Sequence, residues 1–152
     1  MAKTGRKTLA RNKKAFFNYE VDETIECGIE LKGTEVKSIR GGKFSFSDAY
    51  VRIIDDELWM IGFHVAEYDH GNLNNHEPLR QRRLLAHKQE IKRLRRKTDE
   101  KGFTLIPLEI HLREGLVKVE VGLCRGKKNV DKRESIKRRD QERDAQREMR
   151  GH

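Results

Sequence analysis

The alternation of apolar and polar residues along the chain predicts five β-strands. The first, NYEVDETIECGIEL, is longer than most strands and carries Gly28, where a strand can bend sharply around a barrel corner. FSFSDAYVRII and ELWMIGFHVAEY are predicted to pair as a hairpin through Asp55 and Asp56, and FTLIPLEIHL and LVKVEVGLC as a second hairpin through residues 113–115. One long curled strand followed by two hairpins favours a small antiparallel barrel.

The second hairpin has an apolar side on each of its strands. Residues at every second position are predicted to face one way, namely Ile106, Leu108, Ile110 and Leu112 in the first strand and Val117, Val119, Val121 and Leu123 in the second. Pro107 lies on the opposite phase. Because proline has no backbone N–H to donate, its position indicates a sheet edge or a bulge.

Two helices are predicted around these strands. GTEVKSIRGG is typical of a short helix, with Thr34 as a possible N-cap and Gly41 or Gly42 as its end. LRQRRLLAHKQEIKRLRRK predicts a basic helix over about residues 80–98, inserted between the two hairpins. Its narrow apolar side consists of Leu84, His87, Ile91 and Leu94.

These elements predict a mainly β fold, an OB-like antiparallel β-barrel with short outer helices. The chain then divides into a basic N-terminal extension over residues 1–15, the barrel over residues 16–125 and a basic C-terminal tail over residues 126–152. We expect a monomer.

Charge is distributed unevenly over these parts. The 152 residues carry a formal net charge of +9, and the positive excess is concentrated in residues 1–15, 79–101 and 126–152. Segmental positive charge suits a polyanion held along defined surfaces, so nucleic acid is the first candidate partner and an anionic membrane the second. No run of 18 apolar residues and no signal-peptide pattern occurs, and we therefore expect a soluble, cytoplasmic protein.

Few residues offer chemistry of their own. Cys27 and Cys124 are far apart without a zinc-binding pattern, and Cys27 is in phase with apolar neighbours, so a reduced core thiol is expected and no metal or cofactor is indicated. The loop DHGNLNNHEPLRQRR contains His70, His76 and Glu77, from which a small ribonuclease could be built. The alternative, which we favour, is that its Asn and His side chains satisfy the loop's own backbone.

Three segments carry a resemblance to a known family: NKKAFFNYEVDETIECGIELKGTEVKSIRGGK, GNLNNHEPLRQRRLLAHKQEI and KVEVGLCRGKKNVDKRESIKRRD. In this order and spacing the chain resembles the SmpB family over residues 12–140. The resemblance implies a protein without catalytic activity that binds the tRNA-like part of transfer-messenger RNA. It also implies a role as an adaptor of trans-translation, in which the protein body replaces the missing anticodon arm on ribosomes stalled without a codon.

The resemblance also implies which residues contact RNA. Glu26, Leu85 and Lys118 match the family's positions for transfer-messenger RNA, and alternation independently places Glu26 and Lys118 off the apolar face. Glu26 would accept a donor from a base or sugar, or orient a neighbouring Lys or Arg, since a carboxylate repels phosphate. Contacts with the ribosomal decoding centre are implied for Gly126, Lys127, Lys128, Asp131, Lys132 and Arg133. Val130 stands where the family usually has an aromatic residue or His.

The tail has a helical charge pattern. On a helix one stripe would contain Lys132, Ile136, Arg139, Arg143, Arg147 and Arg150. With almost no apolar face, such a helix is marginal alone. We predict a tail that is disordered when free and helical on the ribosome, where the stripe, including Ile136, Arg139, Arg143 and Arg147, lies in the empty messenger channel. A ribosomal or assembly protein held by basic tails remains the third alternative.

Overall fold

The computed structural model of the chain describes residues 6–69, 75–100 and 102–127. Its strands are β1 (Arg6–Arg11), β2 (Tyr19–Ile29), β3 (Phe44–Ser45), β4 (Tyr50–Ile54), β5 (Glu57–Ile61), β6 (His64–Val65), β7 (Arg82–Leu85), β8 (Phe103–Arg113) and β9 (Leu116–Gly126). Its helices are α1 (Lys13–Asn18), α2 (Gly33–Arg40) and α3 (Lys88–Asp99).

Antiparallel pairing closes the main sheet into a barrel. The strand order is β1-β8-β4-β5-β7-β2-β9, and β9 pairs again with β8, which joins the two ends. One edge of β8 is shared, because β4 pairs with it at Leu105 and β1 pairs with it over Glu109–Arg113. The predicted OB-like barrel is confirmed. Residues 6–11 of the basic N-terminal segment belong to its sheet.

The first predicted hairpin forms, with shorter strands than expected. Asp55 and Asp56 both have positive φ (51° and 60°), as a two-residue hairpin turn between β4 and β5 requires. The predicted strands run further than the observed ones because Ser47 (φ 48°) and Gly62 (φ 79°) interrupt them. The flanking residues form β3 and β6, which pair with each other in a separate two-stranded sheet.

The second hairpin forms as predicted, but the prediction for one face of β8 is wrong. The register of β8 against β9 shifts between Pro107 and Glu109, so Leu108 is an extra residue in a β-bulge. An extra residue reverses the phase of the strand. Ile110 therefore packs in the main core, whereas Ile106 and Leu108 pack outside it. The bulge expected from Pro107 is confirmed, and Val117, Val119, Val121 and Leu123 share the main core.

The predicted long basic helix is helical only in its second half, which is α3. It begins at Lys88, with His87 as an exposed N-cap, while Arg82–Leu85 form strand β7 between β5 and β2. In that strand Arg82 and Leu84 are buried and Leu85 is exposed. Helix α3 packs on the barrel through Ile91 and Leu94, so two of the four residues of the predicted apolar side lie on the helix as expected.

Helix α2 ends where predicted but begins earlier. Its N-cap is Lys32, and the Glu35 carboxylate accepts a hydrogen bond of 2.7 Å from the Lys32 amide. The prediction of Thr34 as N-cap is wrong, because the Thr34 hydroxyl bonds His76 Nδ1 at 2.9 Å. Gly41 is the C-cap.

Two apolar clusters stabilise this arrangement. The larger one fills the barrel and includes Cys27, which is a free thiol without solvent exposure, as expected. Burial raises the pKa of Cys27 to about 12, which keeps it protonated and unreactive. The smaller cluster joins Ala15 of α1 to Ile106, Leu108 and Cys124 on the outer side of the β8–β9 hairpin.

A buried ion-pair cluster holds α2 against the segment that leads into β7. Glu35 and Arg82 both have fully buried side chains and form a salt bridge, and Arg80 donates to Glu35 Oε1 at 2.7 Å. Arg82 also donates to the carbonyl oxygens of Phe63 and Pro78 at 2.8 and 3.1 Å. The cluster fixes the start of β7, and hence the position of Leu85.

Candidate nucleic-acid interface

Strand pairing brings the three predicted RNA-contacting residues onto one outer face of the barrel. Gly28 of β2 lies opposite Leu85 of β7 on one side and opposite Lys118 of β9 on the other. Glu26 is two residues from Gly28 along β2 and therefore on the same side of the sheet. The row continues from Lys118 to His111 of β8. We call this surface, formed by Glu26, Gly28, Leu85, His111 and Lys118, the outer face.

Glycine at the centre of the outer face has a steric reason. A Cβ atom on Gly28 would lie 3.3 Å from Leu85 Cβ, closer than most such contacts. Leu85 itself is 43% exposed, which is unusual for a leucine in a barrel strand. An exposed apolar side chain beside a lysine offers RNA both van der Waals contact and charge.

Within the described residues, one of the two carboxylate oxygens of Glu26 accepts both of its side-chain hydrogen bonds. His111 Nε2 donates to Glu26 Oε2 at 2.7 Å, and Arg113 Nε donates to the same oxygen at 2.9 Å. Within residues 6–69, 75–100 and 102–127, no protein donor reaches Glu26 Oε1. The Glu26 side chain is 34% exposed, so one oxygen is fixed and the other is open to a partner.

These contacts keep Glu26 ionised. Partial burial acts to raise its pKa, but the hydrogen bonds from His111 and Arg113, together with the charge of Arg113, lower the pKa below its usual value. The expectation that Glu26 orients a neighbouring basic side chain agrees with the pairing to Arg113. An ionised carboxylate accepts hydrogen bonds and does not donate them, so the His111 proton in this bond must be on Nε2.

A second carboxylate lies behind His111. Glu109 is 6% exposed and its Oε2 is 3.6 Å from His111 Nδ1, which is too long for a hydrogen bond. Strand β1 supplies its donors: Thr8 Oγ1 at 2.8 Å and Arg6 Nη2 at 2.6 Å. Strand β1 thus supports the outer face from behind, because it holds the Glu109 carboxylate that lies next to His111.

A shallow groove of about 350 Å³ borders the outer face. Its apolar lining includes Leu116, which is 62% exposed, beside Leu85. Arg40 and Lys118 supply the cationic lining, and Arg40 donates to the Gly115 carbonyl at 2.6 Å. The groove therefore extends the combination of apolar and positive groups found at Leu85 and Lys118.

In the described part of the loop considered for catalysis, the side chains of Asn75 and His76 are engaged in hydrogen bonds within the protein. His76 is 2% exposed, and its two ring nitrogens lie 2.9 Å from the Thr34 hydroxyl and 2.9 Å from the Val65 carbonyl. Asn75 bonds both the amide and the carbonyl of Tyr68. Glu77 is exposed, and His70 lies outside the described residues. Asn75 thus satisfies the backbone at the start of the loop as expected, whereas the partners of His76 belong to α2 and β6 and not to the loop's own backbone.

Two of the predicted ribosome-contacting residues, Gly126 and Lys127, belong to the described residues. Gly126 ends β9, and the Lys127 amide donates to the Asn18 carbonyl at 3.0 Å, which anchors the start of the tail to the end of α1. The others lie outside the described residues: Lys128, Asp131, Lys132, Arg133, Ile136, Arg139, Arg143 and Arg147, as well as Val130.

Sequence reasoning missed His111 and Arg113 as members of the site. His111 is 1% exposed, as expected for a packed histidine within a strand. Its bond to Glu26 joins residues 85 apart in the chain. The alternation of β8 does place His111 on the side opposite Ile110. The partner strand and its register, however, are known only from the fold.

Neither a membrane-spanning helix nor a metal-binding group of side chains occurs in the described ranges. No helix among them is long and apolar enough to cross a membrane. They also contain no group of three or more His, Cys, Asp or Glu side chains arranged to hold a metal ion. A closed antiparallel barrel with a mixed apolar and cationic outer face belongs to the class of small OB-like barrel proteins.

Comparison with known proteins identifies the family. The SmpB protein family model matches residues 9–151. An SsrA-binding protein of Treponema denticola is 56% identical over 149 residues, covering 98% of this chain and 97% of that protein. One of Fusobacterium nucleatum is 50% identical over 141 residues, covering 93% and 95%. The chain belongs to the SmpB family.

A solved structure agrees with this assignment. It is described as "tmRNA-SmpB: a journey to the center of the bacterial ribosome" and matches with a TM-score of 0.67 at 44% identity. The match covers 84% of this chain and 93% of the other. Sequence and fold therefore point to the same family.

Proposed function

We propose that this protein is an RNA-binding adaptor of trans-translation, which binds the tRNA-like domain of transfer-messenger RNA and delivers it to ribosomes stalled without a codon. Membership of the SmpB family and the names of its relatives support this role. The protein acts in the cytoplasm, as a monomer, and without a catalytic step of its own.

The single observation that carries the proposal is the composition of the outer face. Glu26 presents one open carboxylate oxygen beside Lys118 and the exposed Leu85. A ribose hydroxyl or a base amino group can donate to Glu26, a phosphate can pair with Lys118, and Leu85 can contact a sugar or base. Three different contacts close together suit a folded RNA read by its shape and backbone.

The tail is the second contact region of the proposal. Gly126, Lys127, Lys128, Asp131, Lys132 and Arg133 contact the decoding centre, and the stripe with Ile136, Arg139, Arg143 and Arg147 enters the empty messenger channel. The anchoring of the Lys127 amide to the Asn18 carbonyl places the beginning of this region beside the end of α1. Reversal of Arg143 and Arg147 to Glu should block peptide tagging on stalled ribosomes while RNA binding by the barrel persists. Unchanged tagging would contradict this role.

The ribonuclease alternative receives little support from the geometry of its loop. His76 is buried with both ring nitrogens at hydrogen-bond distance from other groups, so it has no free nitrogen to act on RNA. If RNA incubated with the pure protein remains intact, the alternative is excluded. Progressive cleavage that is lost in the His70→Ala variant would restore it.

Sequencing the RNA that copurifies with the protein tests the adaptor function directly. One dominant transfer-messenger RNA is the expected result. Ribosomal RNA in stoichiometric amounts, with the protein present on actively translating ribosomes, would instead favour a ribosomal or assembly protein. A mixture of unrelated duplex RNAs would contradict specific recognition of a tRNA-like fold.

A further inference from the structure

We propose that His111 is a positioning residue for RNA recognition: with Arg113 it holds Glu26 Oε2, so that only Oε1 is presented to the RNA. This inference rests on the proposed function of the outer face and specifies how that surface is prepared. It concerns a residue that need not contact RNA, since His111 is 1% exposed.

The geometry defines the role. The two donors reach the same carboxylate oxygen, Glu26 Oε2, at 2.7 and 2.9 Å. Because a free glutamate side chain samples several rotamers, fixing it before binding removes an entropic cost that RNA association would otherwise bear. His111 is the more rigid of the two donors, since it is buried whereas the Arg113 side chain is 38% exposed.

The surroundings of His111 support the same assignment. Its ring is enclosed at the Nδ1 side by Glu109, which Thr8 and Arg6 of β1 hold in place. Nδ1 is buried and has no hydrogen-bond partner within the described ranges. A histidine kept only for packing would be replaceable by an apolar side chain. Here the one hydrogen bond that the ring makes to the part of the chain described by the structure is directed at the Glu26 carboxylate.

Two substitutions separate the hydrogen bond from the packing. In His111→Gln the amide nitrogen can occupy nearly the place of Nε2 and still donate to Glu26. In His111→Asn the side chain is one carbon shorter, so its amide ends near the place of Nδ1 and cannot reach Glu26. His64→Gln, in strand β6 away from the outer face, is the matched control.

The test measures the affinity of the full-length protein for an in vitro transcript of the tRNA-like domain of transfer-messenger RNA. Glu26→Gln and His111→Asn are each expected to weaken binding about tenfold. The double variant should be no weaker than Glu26→Gln alone, because His111 acts through Glu26. His111→Gln should bind within about threefold of the unmodified protein, and His64→Gln should bind equally well.

A second readout does not depend on RNA. The carboxyl pKa of Glu26, followed by NMR, should rise in His111→Asn and stay near its original value in His111→Gln, because the hydrogen bond from His111 lowers it. A change in packing alone would not produce this difference between the two variants.

The outcomes distinguish this inference from the function on which it rests. Suppose that Glu26→Gln weakens RNA binding and that the double variant binds more weakly still, by the product of the two single losses. The positioning role of His111 is then wrong, but the RNA contact of Glu26 stands. Equal losses in His111→Asn and His111→Gln, with the Glu26 pKa unchanged in both, would also overturn it. If Glu26→Gln binds RNA normally, the proposed contact at Glu26 fails, and the positioning role fails with it.

Discussion

Two glutamates in this barrel are each held by two cationic or hydrogen-bond-donating side chains, but they differ in what they leave free. Both oxygens of Glu35 are occupied, by Arg80 and the Lys32 amide on one and by Arg82 on the other, and its side chain is fully buried. Glu26 has both donors on one oxygen and a side chain that is 34% exposed. The number of partners is therefore a poor guide to role. An open acceptor at the surface distinguishes a binding carboxylate from a structural one.

The largest effect is expected from Glu35→Gln. Neutralising Glu35 leaves the charge of Arg82 in the interior without its partner, and breaking a buried pair in this way costs about 3–5 kcal/mol of unfolding free energy. Urea unfolding followed by circular dichroism measures the loss. Glu30→Gln is the control, because the contact of Glu30 with Arg83 is exposed and 3.4 Å long, and such pairs contribute about 1 kcal/mol or less.

Glu26→Gln completes this test at the other site. Its effect on unfolding should resemble that of Glu30→Gln, because the Glu26 side chain is 34% exposed to solvent, whereas that of Glu35 is fully buried. Its effect on RNA affinity should exceed that of Glu35→Gln measured where both variants are folded. Equal losses of stability in Glu26→Gln and Glu35→Gln would contradict the assignment of different roles.

The pH dependence of stability should also separate the two carboxylates. Burial acts to raise the pKa of Glu35, but the hydrogen bonds from Arg80, the Lys32 amide and Arg82 lower it below the ordinary value of 4.5. As the pH falls, the Glu35 carboxylate therefore becomes protonated at a higher pH in the unfolded chain than in the folded protein. The contribution of Glu35 is fully present above pH 4.5 and is lost as pH falls through its folded pKa.

Unfolding free energies measured from neutral pH downward test this dependence. The difference between the unmodified protein and Glu35→Gln should be constant above pH 4.5 and should shrink below it. Glu26 has a lowered pKa as well, so its contribution has the same sign, but exposure makes it smaller. If this difference in unfolding free energy grew as the pH fell, the pKa of Glu35 would be raised in the folded protein.

The strands with strict alternation were predictable because burial of one side leaves a direct trace in the sequence. Val117 to Leu123 alternate without interruption and lie in the core as predicted. The bulge at Leu108 was indicated by Pro107, but its effect on phase was not, since alternation alone does not show where a residue is inserted. Arg82–Leu85 was predicted as helix because Leu84 also fits the helical pattern that continues into α3.

The site was predictable only in part, for a related reason. Alternation places Glu26 and Lys118 on a polar face, but their closeness depends on the register of β2 against β9, which pairs Gly28 with Lys118. The role of β1 was missed because its partner β8 is about 100 residues away: the bond from Thr8 to Glu109 spans 101 positions. Long-range pairing of this kind has no local signal.

A smaller effect is expected from Lys118→Ala. Removing one phosphate contact should weaken binding to the tRNA-like RNA several-fold and reduce the slope of log affinity against log salt by about one. Unfolding should hardly change, because Lys118 takes part in the pairing of β9 through its backbone, and no side-chain hydrogen bond or ion pair of Lys118 occurs among the described residues. Lys92→Ala on the solvent side of α3 is the control. Equal losses in both variants would indicate attraction by overall charge, without a defined outer face.

The smallest single effect is expected from Thr8→Val, and it is measured beside Thr34→Val, a matched substitution at a buried histidine. Thr8→Val removes the hydroxyl that donates to Glu109 at 2.8 Å, but Glu109 keeps its bond to Arg6. The expected loss is about 0.5 kcal/mol of unfolding free energy. Thr34→Val removes the partner of His76 Nδ1, which is buried, so a loss of about 1–3 kcal/mol is expected.

The order of these two losses is the decisive result. Both changes replace a hydroxyl by a methyl group of similar size, so they differ mainly in whether the remaining polar atom still has a partner. Urea unfolding of the two variants and of the double variant measures each loss, and the losses should add because no shared contact joins the two sites. If Thr8→Val is the more destabilising, strand β1 contributes more to the outer face than its exposed position implies, and Glu109 is a structural carboxylate like Glu35.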